Sequence, residues 1–225
     1  MSLLESIFKK ACVSNEDIAL ELFESENVGG NVSSEAKRIL KSCSGRQEVL
    51  LKAIELCGSE PDTPKKLYIV SHCYVYLGAA YRKQAIKYLE EYILKGAVWE
   101  GTPAARIRED GYILDQLKAN QASVYSYLGK AYEGEYEFEK AETAYKSAES
   151  LAPYFAAYAV QTAETYIKRN NLQTALNYLE KYKKSTYYKK NVNDYKLLLD
   201  NAISDINSKI SKGYVYRPRK KSEEV

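Results

Sequence analysis

A single histidine stands among 225 residues, His72, and its neighbour in sequence is Cys73. Adjacent residues on a helix do not face one another, so the two cannot form a nucleophile and base. The chain also lacks GxSxG, a P-loop and HExxH, which removes the familiar hydrolase, nucleotide-binding and zinc-protease signatures. Its four cysteines, Cys12, Cys43, Cys57 and Cys73, lie 31, 14 and 16 residues apart with no CxxC. That spacing is not one of a zinc site. Acidic neighbours such as Glu90-Glu91 and Glu109-Asp110 read as solvated helix surface. No enzyme, metal or cofactor is expected.

Long apolar runs are missing as well. Nowhere do 18 apolar residues follow one another, and the opening MSLLESIFKK carries Glu5 and no stretch of signal length. The expectation is a cytoplasmic chain without a membrane partner, its thiols packed as small hydrophobes.

Phenylalanine is scarce at 4 residues, whereas tyrosine reaches 22, and all 22 follow Leu67. The first 67 residues therefore obey different packing rules. Charge is uneven too. Residues 181–225 hold 12 Lys and Arg against 5 Asp and Glu, a net +7, which leaves the rest at −4.

Residues 85–92 read AIKYLEEY and residues 175–182 read ALNYLEKY, the same octapeptide ninety positions apart. Between them AETAYKSA begins at Ala141, 34 residues before Ala175. On that 34-residue ruler, residues 122–155 hold Tyr125, Leu128, Gly129, Tyr132, Ala141, Tyr145, Ala148 and Pro153. The unit at 156–189 keeps the frame with Ala163, Tyr166, Ala175, Leu179 and Tyr182, and the unit at 66–99 keeps it with Cys73, Tyr76, Ala85, Leu89 and Tyr92. Small residues let paired helices approach, and large aromatics one turn away fill the remaining space. Tyr88, Leu89 and Tyr92, like Tyr178, Leu179 and Tyr182, are thus core positions on one helix face.

This pattern resembles the tetratricopeptide repeat family, whose signature runs aromatic or Leu, Leu-Gly, Tyr, Ala, aromatic, Ala, Pro. The resemblance implies an all-α fold, an α–α superhelix of stacked helical hairpins closed by caps. It also implies a non-catalytic scaffold whose first helices line a groove for a protein or peptide. By register the groove positions are Val70, Tyr74 and Leu77, then Ser126, Lys130 and Glu133, then Val160, Glu164 and Lys168. Family members that clamp a chaperone carboxylate carry Lys, Asn and Arg at such places; Val70, Tyr74, Tyr127, Ala157 and Gln161 stand here instead. Similar arrays sense peptide pheromones, usually behind a helix-turn-helix domain that residues 1–60 do not display. A second class of function is nucleic-acid binding through KYKKSTYYKK at 181–190 and RPRKK at 217–221, where lysines would meet phosphates and Tyr182, Tyr187 and Tyr188 would stack on bases.

Register also locates an insertion. Ninety exceeds two repeats by 22 residues, placed near 99–121. Thr102 and Pro103 offer a helix start, and roughly 6.1 turns would keep phase, so one overlong helix from 103 to 133 is expected, with a helical hairpin at Gly111 as the alternative. Upstream, residues 1–60 read as divergent helices: 2–11, one from Ser14–Asp17 to Gly29-Gly30, one from Ser33 or Ser34, and one from Gly45 to Gly58. The pair at 33–57 has the size of a degenerate repeat, with Ile39, Ser42 and Leu51 in frame. Residues 61–212 form the array, closed by a capping helix at 192–211 bearing Tyr195, Leu199, Ala202, Ile206 and Ile210. The basic tail at 213–225 is expected to be flexible unless it lies on its own groove or a neighbour's.

Overall fold

A computed structural model describes residues 14–28, 32–58, 62–97, 108–109, 112–113, 116–189 and 193–218. The architecture is all-α apart from a two-residue-per-strand ribbon. Its helices are α1 (Asn15–Val28), α2 (Ser34–Ser42), α3 (Arg46–Cys57), α4 (Pro64–Leu77), α5 (Arg82–Leu94), α6 (Gln116–Gly134), α7 (Phe138–Leu151), α8 (Ala156–Lys168), α9 (Leu172–Lys183), the single turn α10 (Thr186–Lys189) and α11 (Asn193–Ser211).

Helix starts follow their caps. Ser14 Oγ accepts from the Asp17 amide at 3.1 Å while the Asp17 carboxylate accepts from the Ser14 amide at 3.2 Å, a reciprocal box that opens α1. Ser33 Oγ accepts from Ala36 at the head of α2. Thr63, followed by Pro64 at the first helical position, caps α4 through the Lys66 amide. Gly58 closes α3.

Sequential helices pack as antiparallel hairpins, α4 with α5, α6 with α7 and α8 with α9, and each hairpin stacks on the next. The 34-residue frame is visible in the turns. In the first, the Tyr136 amide bonds Glu133 O and the Glu137 amide bonds Tyr132 O; in the second, Asn170 bonds Ile167 O and Asn171 bonds Tyr166 O. Tyr136 and Asn170 are both left-handed, at φ 63° and 60°. These are two copies of one Schellman-type turn.

The repeat positions fill the core. Ala85, Leu89, Tyr92, Ala141, Tyr145, Ala148, Ala163, Ala175, Leu179 and Cys73 are at most 1% exposed, and Leu128, Tyr132, Tyr166 and Tyr182 are also buried. Tyr125 joins a small cluster with Ala122, Ala148 and Tyr158 that seals the second hairpin to the third. Pro153 lends its carbonyl to the Tyr182 hydroxyl at 2.8 Å. Tyr76 departs from its expected packing role: it is 39% exposed, with the Arg46 guanidinium over its ring.

Three expectations of helical organisation fail. No overlong helix forms, because α6 begins at Gln116 and is preceded by antiparallel strands β1 (Arg108–Glu109) and β2 (Tyr112–Ile113). Arg108 pairs with Ile113 and Glu109 with Tyr112, leaving Asp110-Gly111 between them. The ragged apolar stripe, interrupted by Asp110 and Gln121, did not suffice to carry one helix through this stretch. The 33–57 pair does not pack as the repeat hairpins do, since the main neighbours of α3 are α1 and α4, and Leu51 is 38% exposed. In the terminal helix α11, which packs on α8 and α9, Leu199, Ile203 and Ile206 are buried, whereas Ile210 is 38% exposed. The expected helix at 2–11, Cys12, and the Thr102-Pro103 start lie outside the described residues.

Candidate functional site

The first helices of the three hairpins, α4, α6 and α8, carry the nine expected groove residues. They do not behave alike. Val70 is 2% exposed and belongs to the core. Tyr74 turns toward its own hairpin, stacked on Tyr81 and Tyr88 at 5.9 and 5.5 Å. Leu77 is half-buried against the core. Ser126 is buried and donates to Gln161 Oε1 at 2.9 Å, which ties α6 to α8. Val160 packs on the third hairpin. These five positions are taken up by packing within and between the hairpins.

Lys130, Glu133 and Lys168 do come together. They line an open cavity of about 400 Å³ with Arg82, Gly134, Tyr136, Tyr216 and Arg217. Lys168 pairs with Glu133 at 2.9 Å. The other Glu133 oxygen, Oε1, is buried with no hydrogen-bond partner. Beneath it, burial and the Glu133 charge push the Tyr145 phenol well above its usual range.

Glu164, exposed on α8, neighbours this cluster without lining the cavity. Desolvation of its carboxyl, and then the Glu133 charge, raise its pKa despite Lys168, Lys130 and Lys209. Arg82, from the start of α5, donates to Gly134 O at 2.9 Å and so covers the C-terminus of α6, where a cation is favoured by the helix dipole.

The C-terminal segment joins this site, as in the alternative in which the basic tail lies on its own groove. Gly213, at φ 61°, ends α11 in another reversing turn, with Tyr214 N donating to Lys209 O at 2.9 Å. The chain then runs back across the hairpin turns. Asn170 receives it with both ends of its carboxamide: Oδ1 accepts from Tyr216 N at 2.6 Å and Nδ2 donates to Tyr216 O at 3.3 Å. The Tyr216 ring meets Phe138 edge-on at 6.0 Å, and Phe138 meets Tyr136 likewise at 6.1 Å.

The expected basic surface is differently occupied. Tyr182 is buried, Tyr188 packs on the third core, and Tyr187 lies edge-on to Tyr154 at 5.3 Å. Lys183 is paired with Asp200 at 2.7 Å.

His72 is enclosed. Its Nδ1 donates to Tyr68 O at 2.8 Å, with the rings of Tyr68, Phe23 and Tyr127 around it. Burial lowers its pKa to about 4, so the ring is neutral near pH 7. The Cys73 thiol is pushed up by burial, away from nucleophilic chemistry. Among the described residues, no helix is long and apolar enough to cross a membrane, and no group of three or more His, Cys, Asp and Glu is placed to hold a metal ion.

No protein-family model and no curated protein sequence matches the chain. Two solved structures of MamA are similar to it. One is 16% identical, covering 81% of this chain and 99% of that one at a TM-score of 0.48. The other is 16% identical, covering 91% and 98% at a TM-score of 0.47.

Proposed function

We propose that this chain is a non-catalytic scaffold that binds a peptide or an extended part of a partner protein on the face formed by α6, α8 and the turns that follow them. The observation that carries the reading is the convergence of Lys130, Glu133 and Lys168, from two successive hairpins, on one open cavity beside Glu164. Burial first, and then the nearby Glu133 charge, disfavour the ionised form of Glu164, and such perturbed groups cluster where a surface has work to do. Protein or peptide is the partner class because the concavity offers charges of both signs beside tyrosine rings, which suit backbone and side chains together.

Nucleic-acid binding is less well supported. Base stacking needs free aromatic faces among the lysines, and two of the three tyrosines at 182–188 are engaged in packing.

The test is selection of peptides from a displayed random library on the full chain, followed by titration against Lys130→Glu and Glu164→Lys. The expected result is a set of peptides whose affinity falls about tenfold, or 1.4 kcal/mol, in at least one variant. Peptides indifferent to both charge reversals, or no peptide at all, contradict the proposal.

A further inference from the structure

The contact between Asn170 and Tyr216 has the form of ligand recognition. A carboxamide carries a donor and an acceptor at nearly the spacing of a peptide group, so one side chain can bond both polar groups of one residue of an extended strand. Asn170 does this to Tyr216 at 2.6 and 3.3 Å. Nothing in such a contact depends on the identity of the residue bound. The aromatic part of the contact does: the Tyr216 ring meets Phe138 edge-on, and the Tyr136 ring braces Phe138 in turn.

Asn170 is also not required for the turn it occupies in the way a buried residue would be. It is exposed, and its described side-chain bonds are the two to Tyr216. Its left-handed backbone, at φ 60°, explains why Asn is tolerated there, but the equivalent position one repeat earlier is Tyr136, which shows that the turn forms without a carboxamide. The amide is thus free to serve a second segment. Beyond Tyr216 the segment leads into the cavity, where Arg217 stands with Lys130, Glu133 and Lys168.

We propose that Asn170 with Phe138 and Tyr136 is a peptide-binding subsite for an extended segment bearing an aromatic side chain followed by a basic one, and that residues 214–217 of this chain occupy it as an internal competitor. This deepens the groove reading and rests on it. A partner segment of the same chemistry would displace the tail and continue onto the Lys130–Glu164 face. The tail then sets a threshold, because apparent affinity for the outside segment falls by the fraction of time the site is filled from within.

The experiment uses the full chain and a fluorescein-labelled synthetic peptide GYVYRPRKK, copied from residues 213–221. Three proteins are compared: wild type, Tyr216→Ala, which weakens the internal occupant, and Asn170→Gly, which removes the amide while keeping a residue suited to positive φ. The Tyr216→Ala chain should bind the peptide about tenfold more tightly than wild type. Asn170→Gly should bind it more weakly than Tyr216→Ala by a similar factor, with its helical circular dichroism unchanged. A control peptide, GAVARPRKK, should not compete. In parallel, the Tyr216 amide should exchange with solvent slowly in wild type and quickly in Asn170→Gly, as read by nuclear magnetic resonance.

Equal binding by all three proteins, or a Tyr216 amide that exchanges at the rate of an unstructured chain in wild type, overturns the subsite. The groove reading fails separately. If library peptides sensitive to Lys130→Glu still bind while the tail peptide does not, only the subsite is lost; if neither binds, both are lost.

Discussion

Tyr178 donates its hydroxyl to Glu149 across the boundary between the second and third hairpins, at 2.5 Å. Burial raises the Glu149 pKa and the phenol works against that shift. The same arrangement recurs where Tyr166 donates to Glu142 and Tyr132 to Glu90. It explains the preference for tyrosine over phenylalanine: the ring fills the inter-helix space and the hydroxyl bonds a neighbouring helix.

Tyr178→Phe should therefore cost about 1.5–3 kcal/mol, the range for a hydrogen bond to a charged group. A carboxyl with a raised folded-state pKa adds stability below its unfolded pKa and loses it as pH rises through the folded one. Without the phenol that loss grows, so the deficit should be largest at neutral pH and shrink in acid. Urea denaturation of wild type and variant at several pH values checks both the size and the sign.

Gly129 and Tyr145 form a matched pair. A Cβ placed on Gly129 would lie 2.5 Å from the Tyr145 ring. One repeat later the same places hold Ala163 and Leu179, a larger small residue opposite a smaller large one, both at most 1% exposed. Gly129→Ala should cost about 1–3 kcal/mol from overpacking. Adding Tyr145→Leu should cost less than the sum of the two single changes, a positive coupling readable in a double-mutant cycle.

His72 should give the fold a titration of its own. Its neighbours, Tyr68, Phe23, Tyr127 and Ser71, are uncharged near neutrality. The unfolded ring accepts a proton near pH 6.5 and the folded one only near 4. The unfolded state thus binds more protons between those values, and stability, complete above pH 6.5, falls as pH drops toward 4. The loss should approach about 3 kcal/mol, from 1.36 kcal/mol per pKa unit. In His72→Phe that part of the pH dependence should vanish, while a dependence unchanged from wild type would show that His72 is not the group responsible.

Much of the fold could be read from residues whose role is local or periodic. The alanines at 141 and 175 and the caps at Ser14 and Ser33 announce themselves, because contact distance and amide satisfaction admit few residue types. The insertion misled because helical phase is compatible with 22 residues of helix but does not require it, and residues 108–109 and 112–113 pair as strands instead. The site was harder. Register places Lys130, Glu133 and Lys168 on one face, where they line one cavity, yet Val70, Tyr74 and Ser126 share that register and are buried or stacked, because periodicity does not say which neighbouring helix or ring covers a position. Asn170 falls at a repeated turn position, but nothing periodic marks its carboxamide, since Tyr136 fills the same place one repeat earlier. Its partner lies 46 residues away, and only the return of the chain after Gly213 brings them together.

The most direct measurement of the central claim is a hydrogen-exchange footprint of a library-selected peptide on the full chain. The account predicts slowed exchange confined to α6, α8 and the turns at 134–138 and 168–171, together with faster exchange in residues 214–217 as the tail leaves. Protection centred on the lysine-rich segment 181–190 instead, with the tail unmoved, would contradict it.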